Sequence, residues 1–366
     1  MGAEDKIIIY LPTPLPGGAF NSAMLLAEGL SREGFKVKFV ANRKGKMELP
    51  SDTVYLNAGD FIRPFKLKTI IEQEKPLAVF SNMLPQNVTL SISKLLLPKN
   101  LSSTIKFIGF SRNSSSRIRR GQWYKLPYRL FIKKLYENLD YIIAVSDSVK
   151  IDLMKAFFIK EEKIKVIHNP LKHTEIFKKK REPLEKVYED FFSKGKIIIN
   201  TSRFAKQKRL DLLIKAFKKI SKVREDVRLV LVGSGEEENN LRKLVENLGL
   251  KDKVLFIPFS PNPFKYIHRA DVFVLTSQDE GFGRVVMESL ACGTPVVAYK
   301  NEFCDHSSII TDGYNGFQVP FGDEDALVDK VLIYLSKDKK KVACNCVLST
   351  KKFSLRRITC KILELI

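Results

Sequence analysis

The sequence has no apolar run approaching the roughly eighteen residues that cross a bilayer. Its start, Met1-Gly2-Ala3-Glu4-Asp5, lacks the basic-then-apolar order of a secretory signal. Both absences predict a soluble chain that stays in the cytosol. Cysteine is scarce: Cys292, Cys304, Cys344, Cys346 and Cys360 are an odd set without C-x-x-C spacing, and the four histidines lie far apart. That excludes a disulfide framework and a zinc site with standard ligand spacing. Three sequon-like triplets beginning at Asn87, Asn100 and Asn113 are then chance matches, because a cytosolic chain never meets the glycosylation machinery. No G-x-G-x-x-G opens a helix after the first strand with an acid about twenty residues on, which disfavours a dinucleotide oxidoreductase.

Acid is the remaining shortage. The net charge is +22, and residues 1–200 carry 35 Lys+Arg against 20 Asp+Glu. A charge this far from zero sets up a field felt by phosphates and lipid headgroups, and most of it lies in the N-terminal half.

What is present is enough for two cores: 366 residues, 44% of them apolar. Lys6 to Leu11 reads as a strand, followed by Gly17-Gly18 and a helical stretch from Phe20 to Arg32. Residues 37–40, 77–80, 105–108 and 141–145 are further buried-strand candidates, and a strand ends at Pro170. The stretch from Lys172 to Lys194 is highly charged and weakly periodic, and the domain boundary is placed at its start. A second alternating series follows, with strands at 197–200, 229–232, 254–257, 272–275 and 295–298 and helices between them. The spacing predicts two doubly wound parallel sheets facing one cleft, at residues 1–170 and 171–351.

The strongest local signal is Asp279-Glu280-Gly281-Phe282-Gly283-Arg284-Val285-Val286-Met287-Glu288. A strand stops, a glycine turn follows, and a helix begins with unpaired amides, a terminus that attracts phosphate. Glu280 lies at the mouth of the turn and Glu288 about two helical turns along, so both carboxylates can face one side of a ligand. In isolation the pair would read as an acid complementing the helix dipole and an exposed helix residue.

In its setting the segment resembles the E-x7-E element of the retaining, family-four type (group 1) glycosyltransferases, whose GT-B fold is two facing Rossmann-like domains. The resemblance implies that Glu280 contacts hydroxyls of the transferred sugar, Glu288 the ribose, and the amides of Gly281, Phe282 and Gly283 the sugar or diphosphate. The loop Thr201-Ser202-Arg203-Phe204-Ala205-Lys206-Gln207-Lys208 resembles the family's basic diphosphate-binding loop, with Arg203 and Lys208 matching. A nucleoside diphosphate leaving group needs fixed cations, and without a metal Arg and Lys supply them. Gly233 in Leu231-Val232-Gly233-Ser234-Gly235 fits the loop beside the nucleotide. Gly17 and Gly18 fit a glycine turn that approaches donor or acceptor, although an ordinary βα turn reads the same way. Phe353 to Leu365 is similar to the helix that crosses back onto the first domain, so the resemblance implies that residues 352–366 return to 1–170. Many relatives carry a histidine in the region that here reads Phe107 to Asn113, which has none. Asp323-Glu324-Asp325 looks like a D-x-D metal motif but is expected to begin a helix.

Between Arg112 and Lys134 there are eight basic residues and no acid, with Trp123, Tyr124, Tyr128 and Phe131 interleaved. Arg112, Arg117, Arg119, Arg120, Trp123, Lys125 and Arg129 are therefore expected to contact an anionic membrane or the acceptor. The competing readings are a nucleic-acid surface and a solvated helix face. The whole predicts transfer of a hexose or N-acetylhexosamine from a nucleotide-diphospho-sugar to a lipid-linked or envelope-polysaccharide acceptor at the cytosolic membrane face. Arg203, Lys208 and Glu280 are the expected catalytic residues, and no metal, other cofactor or nucleic acid is expected. The rivals are a sugar-nucleotide epimerase of the same fold and a nucleic-acid-binding protein.

Overall fold

The computed structural model describes residues 5–15, 17–112 and 126–366. It divides the chain into two compact units, Met1–Pro170 with Phe353–Ile366, and Leu171–Lys352. In the first unit strands β1 (Lys6–Leu11), β2 (Lys36–Ala41), β3 (Val54–Tyr55), β4 (Ala78–Asn82), β5 (Lys106–Ser111), β6 (Tyr141–Ala144) and β7 (Ile164–Val166) form one sheet in the order β3-β2-β1-β4-β5-β6-β7. Every pairing in it is parallel. Continuous apolar runs such as Ile7-Ile8-Ile9 suit strands covered on both faces, and all three residues are buried.

Helices α1 (Gly18–Arg32), α2 (Arg63–Glu74), α3 (Leu84–Leu96), α4 (Lys99–Ser102), α5 (Leu126–Asn138) and α6 (Asp147–Phe157) connect these strands. On α1 the buried Ala23, Leu26, Ala27 and Leu30 recur at helical spacing and face the β1 side of the core. Ser146 caps α6 by accepting a hydrogen bond from the Val149 amide at 3.3 Å.

The charged stretch after Pro170 is not structureless. It carries α7 (His173–Lys179) and α8 (Lys186–Ser193), with Ile176 anchoring the first and Glu175 paired with Lys179 at 2.6 Å. The second unit's sheet holds β8 (Lys196–Thr201), β9 (Val227–Val232), β10 (Val254–Ile257), β11 (Val272–Leu275), β12 (Val296–Lys300) and β13 (Gly316–Pro320), all parallel, in the order β10-β9-β8-β11-β12-β13. Its helices are α9 (Leu210–Val223), α10 (Glu238–Asn247), α11 (Phe264–Arg269), α12 (Arg284–Cys292), α13 (Glu324–Ser336) and α14 (Lys339–Ser349).

This is the doubly wound order: the chain builds outward from β8 to β10, then restarts on the other side of β8 with β11. The β8 and β11 carboxyl ends therefore flank the switch point, where loops diverge and leave a crevice. Finally α15 (Leu355–Leu363) returns to the first unit, where Ile358 and Ile362 join the cluster containing Leu26 and Leu30. No helix among the described residues is long and apolar enough to cross a membrane.

Candidate active site

Residues from three loops meet at the switch point of the second sheet. After β8 the chain runs through Arg203 into a single 3-10 turn, Lys206–Lys208. After β11 it runs through buried Thr276 and Ser277 to Glu280 and the glycine turn ahead of α12. These loops are tied by backbone: the Gln278 amide donates to Gln207 O at 2.9 Å, and Thr276 Oγ1 donates to Lys208 O at 3.0 Å. The loop after β12 supplies a floor, because Glu280 N–H donates to Phe303 O at 3.2 Å and Asn301 Nδ2 to Gln278 O at 3.0 Å.

This bracing brings Lys208 Nζ to 2.5 Å from Glu280 Oε2, with the two side chains 16% and 20% exposed. Burial pushes the Glu280 carboxyl up, but the Lys208 charge and hydrogen bond, with His306 adding to them, outweigh it and hold it below the ordinary carboxylate range. A carboxyl so held stays ionised at neutral pH, so it accepts hydrogen bonds and does not donate a proton.

Arg203 is exposed, at the end of β8, and among the described residues its side chain makes no ion pair. Gly281, Phe282 and Gly283 are buried, and Gly283, at φ 71°, is the α12 N-cap. That cap offers no side-chain acceptor, and the Val286 amide of the first turn donates to the Gly283 carbonyl at 2.8 Å. Glu288 is held by Arg284 Nε at 2.7 Å, one turn earlier on the same helix. The i, i+4 spacing of Arg284 and Glu288 is the local signal of this pairing.

Gly233 and Gly235 serve close backbone approach. A Cβ at Gly233 would lie 2.0 Å from Ser202 O, and one at Gly235 2.4 Å from Phe204 O. Phe204 N–H also donates to Ser234 O at 2.9 Å, so this loop is the wall that fixes the Arg203 turn. Gly233→Ala is expected to destabilise the second unit by about 1–3 kcal/mol, since its φ of 147° and the Ser202 carbonyl both resist a side chain. Calorimetry that finds an unchanged melting temperature would refute this reading of the wall.

His306 is a site residue that no motif announces. It lies in the loop after β12, fully buried, with Nε2 3.4 Å from Cys304 Sγ and its ring against Gly283. Its signal was position alone, a histidine following a strand at the carboxyl edge of the sheet. Asp323 caps α13 through the Ala326 amide, and Glu324 and Asp325 pair with Lys219 at 3.2 and 2.7 Å. The D-x-D triplet therefore begins a helix. Among the described residues no three His, Cys, Asp or Glu side chains are grouped to hold a metal ion.

In the first unit, Gly17 and Gly18 form the exposed turn that opens α1, with open space where a Gly17 Cβ would sit. One surface expectation is corrected. Arg112 does not face a membrane: it is 7% exposed, bonded to Asn82 Oδ1 and, at 2.5 Å, to Asn169 Oδ1, and it stacks over Phe110 at 4.5 Å. Its guanidinium matches amide oxygens at the ends of β4 and beyond β7, a brace a flexible surface cation cannot supply. Arg129 is half-buried and engaged, donating to the Lys155 and Ala156 carbonyls at 2.5 and 2.6 Å at the end of α6. Arg117, Arg119, Arg120, Trp123 and Lys125 lie outside the described residues.

Comparison with known proteins follows the same division. Residues 16–175 match the model of Glycosyltransferase Family 4, and residues 182–345 match that of Glycosyl transferases group 1. A Campylobacter jejuni N-acetylgalactosamine-N,N'-diacetylbacillosaminyl-diphospho-undecaprenol 4-alpha-N-acetylgalactosaminyltransferase is 31% identical over 59% of this chain and 56% of its own. A lipopolysaccharide core biosynthesis glycosyltransferase of Rhizobium meliloti is 35% identical over 35% of this chain and 36% of its own. The chain thus spans about half, or less, of the length of these curated relatives. The Anabaena protein Alr3699/HepE, solved with UDP, superimposes with a TM-score of 0.80 at 19% identity over 98% of both chains, which establishes the fold. With one model on each unit and the superposition spanning both, the chain belongs to the family-four, group 1 glycosyltransferases and carries their GT-B fold.

Proposed function

We propose that the protein transfers a hexose or N-acetylhexosamine from a nucleotide-diphospho-sugar to a lipid-linked or envelope-polysaccharide acceptor at the cytosolic face of a membrane, with retention of configuration. The observation that carries this is the Lys208–Glu280 pair at the switch point of the second sheet. Each partner suits one half of the donor: the ammonium takes a diphosphate oxygen, and the carboxylate accepts from sugar hydroxyls. Arg203 supplies the second cation, the amides of Gly281, Phe282 and Gly283 the neutral donors, and Glu288 the acceptor for ribose hydroxyls. Charge on the departing diphosphate is met by fixed cations, so the step needs no metal. The phosphate oxygen accepts the proton of the attacking acceptor hydroxyl on the same face, so no protein nucleophile is required.

Carrying over the relatives' printed activities supports an envelope task, and a transferase rather than an epimerase. A thermal-shift panel of UDP-, GDP- and ADP-sugars tests donor class. A donor at about one hundred times its Kd stabilises the native state by about 2.7 kcal/mol, a rise of several degrees in Tm. No shift with any nucleotide-sugar would refute the donor reading.

Membrane contact is proposed for the stretch around α5. With Arg112 removed and Arg129 engaged, the remaining support is charge at 117–134 together with exposed Leu126, Tyr128, Leu130 and Phe131. Co-sedimentation with anionic liposomes is expected at low salt and lost on reversing the charges of Arg117, Arg119, Arg120 and Lys125. Binding unchanged by those reversals would move the contact elsewhere.

A further inference from the structure

The loop after β12 holds a titratable group that the proposed transfer does not use. His306 is fully buried, and among the described residues its Nδ1 makes no hydrogen bond of normal geometry. The residue's backbone is fixed from below, its amide donating to Gln318 Oε1 at 2.7 Å and its carbonyl accepting from the Ile309 and Ile310 amides at 2.8 and 2.7 Å, and the ring's Nε2 lies 3.4 Å from Cys304 Sγ. Above it lies the glycine turn. A Cβ at Gly283 would come within 2.5 Å of His306 Cε1 and 2.8 Å of Nδ1, so the turn rests directly on the imidazole. Glycine at 283 is thus fixed twice, by its φ of 71° and by this contact.

Resting on the donor reading above, we propose that His306 is a positioning residue of the donor site: its neutral imidazole fixes the Gly281–Gly283 turn so that the turn's amides and Glu280 meet the donor together, and protonating the imidazole releases that turn. The groups facing His306 pull in both directions. Burial and Lys208 oppose a charge on the ring, whereas Glu280, Asp305 and the Phe282 backbone favour one, and burial, the largest influence, leaves the group below the ordinary histidine value. Cys304, at Nε2, is a buried thiol pushed above its usual range and stays neutral.

The sign follows from linkage. Because the native imidazole takes up its proton less readily than the unfolded one, its support is complete above about pH 6.5 and is lost as pH falls below that value. Two things then change locally: an imidazolium is pressed against Gly283, and Glu280 gains a second cation competing with Lys208 and with the sugar. Donor binding weakens while the rest of the fold stands.

The test compares the wild-type chain with His306→Gln, which keeps bulk and polarity without titrating, and with His306→Ala, which removes the support. Binding of UDP-glucose, which has no group titrating between about pH 5 and 8, is measured by calorimetry from pH 8 to 5.5, with GDP-mannose and ADP-glucose as alternative probes. The wild type is expected to lose about five- to tenfold in affinity across that range. His306→Gln is expected to bind near the wild-type level at pH 8 and to lose less than twofold, and His306→Ala to bind weakly throughout. Equal pH dependence in wild type and His306→Gln overturns the proposal, as does wild-type affinity in His306→Ala. Hydrogen exchange at the Phe282 and Gly283 amides, expressed as protection factors, gives a ligand-free reading. Protection is expected to fall below pH 6.5 in the wild type and not in His306→Gln. Should no nucleotide-sugar bind at any pH, the donor reading fails, while the exchange result still decides the role of His306.

Discussion

Replacing Lys208 by alanine is expected to lower kcat about 10²- to 10³-fold, the loss associated with removing one preorganised donor from developing negative charge. The ammonium is held in advance of any ligand, by its 2.5 Å contact to Glu280 and by the hydrogen bond from Thr276 to its own carbonyl. Little reorganisation is left for the moment of reaction. KM should change less than kcat, because the diphosphate carries more charge as it departs than when bound, and Arg203 remains to hold the ground state. Stability should change modestly: Glu280 loses its partner, but it is 20% exposed, so the cost stays below the roughly 3–5 kcal/mol of breaking a fully buried pair.

Glu280→Gln is expected to lower kcat/KM as well, and the double variant should lose less than the product of the single losses, since the two residues act as one unit. The measurement is steady-state kinetics beside a melting curve for each variant. Unchanged kcat in a folded Lys208→Ala protein would remove this residue from the chemistry.

The division between what was legible in the sequence and what was not follows from where each signal resides. Runs such as Ile7-Ile8-Ile9 and Val272-Phe273-Val274-Leu275 announce buried parallel strands because no face of them meets water. The glycine turn and the E-x7-E spacing are equally local, so Glu280 and Glu288 could be placed on one helix end from sequence. Short edge strands could not. Val54–Tyr55 is two residues long and half-buried, and Gly316–Pro320 mixes apolar and polar residues at the sheet's rim.

The helices after Pro170 were hidden for a related reason. Each buries one side chain or none and runs for only 7 or 8 residues, so charge dominates their composition and the stretch is too short for a 3.6-residue period to register. Pairings across the fold were out of reach altogether. Nothing local marks Arg112 as a brace to Asn82 and Asn169, which lie 30 and 57 residues away, and a run of cations reads as a surface until those partners are known. His306 escaped for the same reason, since its meaning comes from Gly283, on a different loop.

Removing residues 353–366 is expected to prevent the first unit from folding while leaving the second folded. The deleted segment contributes Phe353, Leu355, Ile358 and Ile362, each 6% exposed or less. At about 1.5–3 kcal/mol per buried side chain, their loss is of the same size as the entire stability of an ordinary domain, about 5–15 kcal/mol. It also strips the cover from Leu26 and Leu30 on α1. Hydrogen exchange should show protection lost across β1–β7 and kept across β8–β13, whereas protection retained in both sheets would show that α15 is dispensable. Ile358→Ala is the graded version and should cost about 2–5 kcal/mol.

The contact itself can be tested at one atom, because a Cβ at Gly29 would lie 2.1 Å from Thr359 Oγ1, a buried hydroxyl without a hydrogen-bond partner among the described residues. Gly29→Ala should therefore destabilise the first unit. Thr359→Ala should be nearly neutral, since it deletes an unsatisfied oxygen. The double variant should recover most of the stability lost in Gly29→Ala, because the methyl group then occupies the space the hydroxyl vacated. Additive losses in that cycle would mean that α15 meets α1 in some other register.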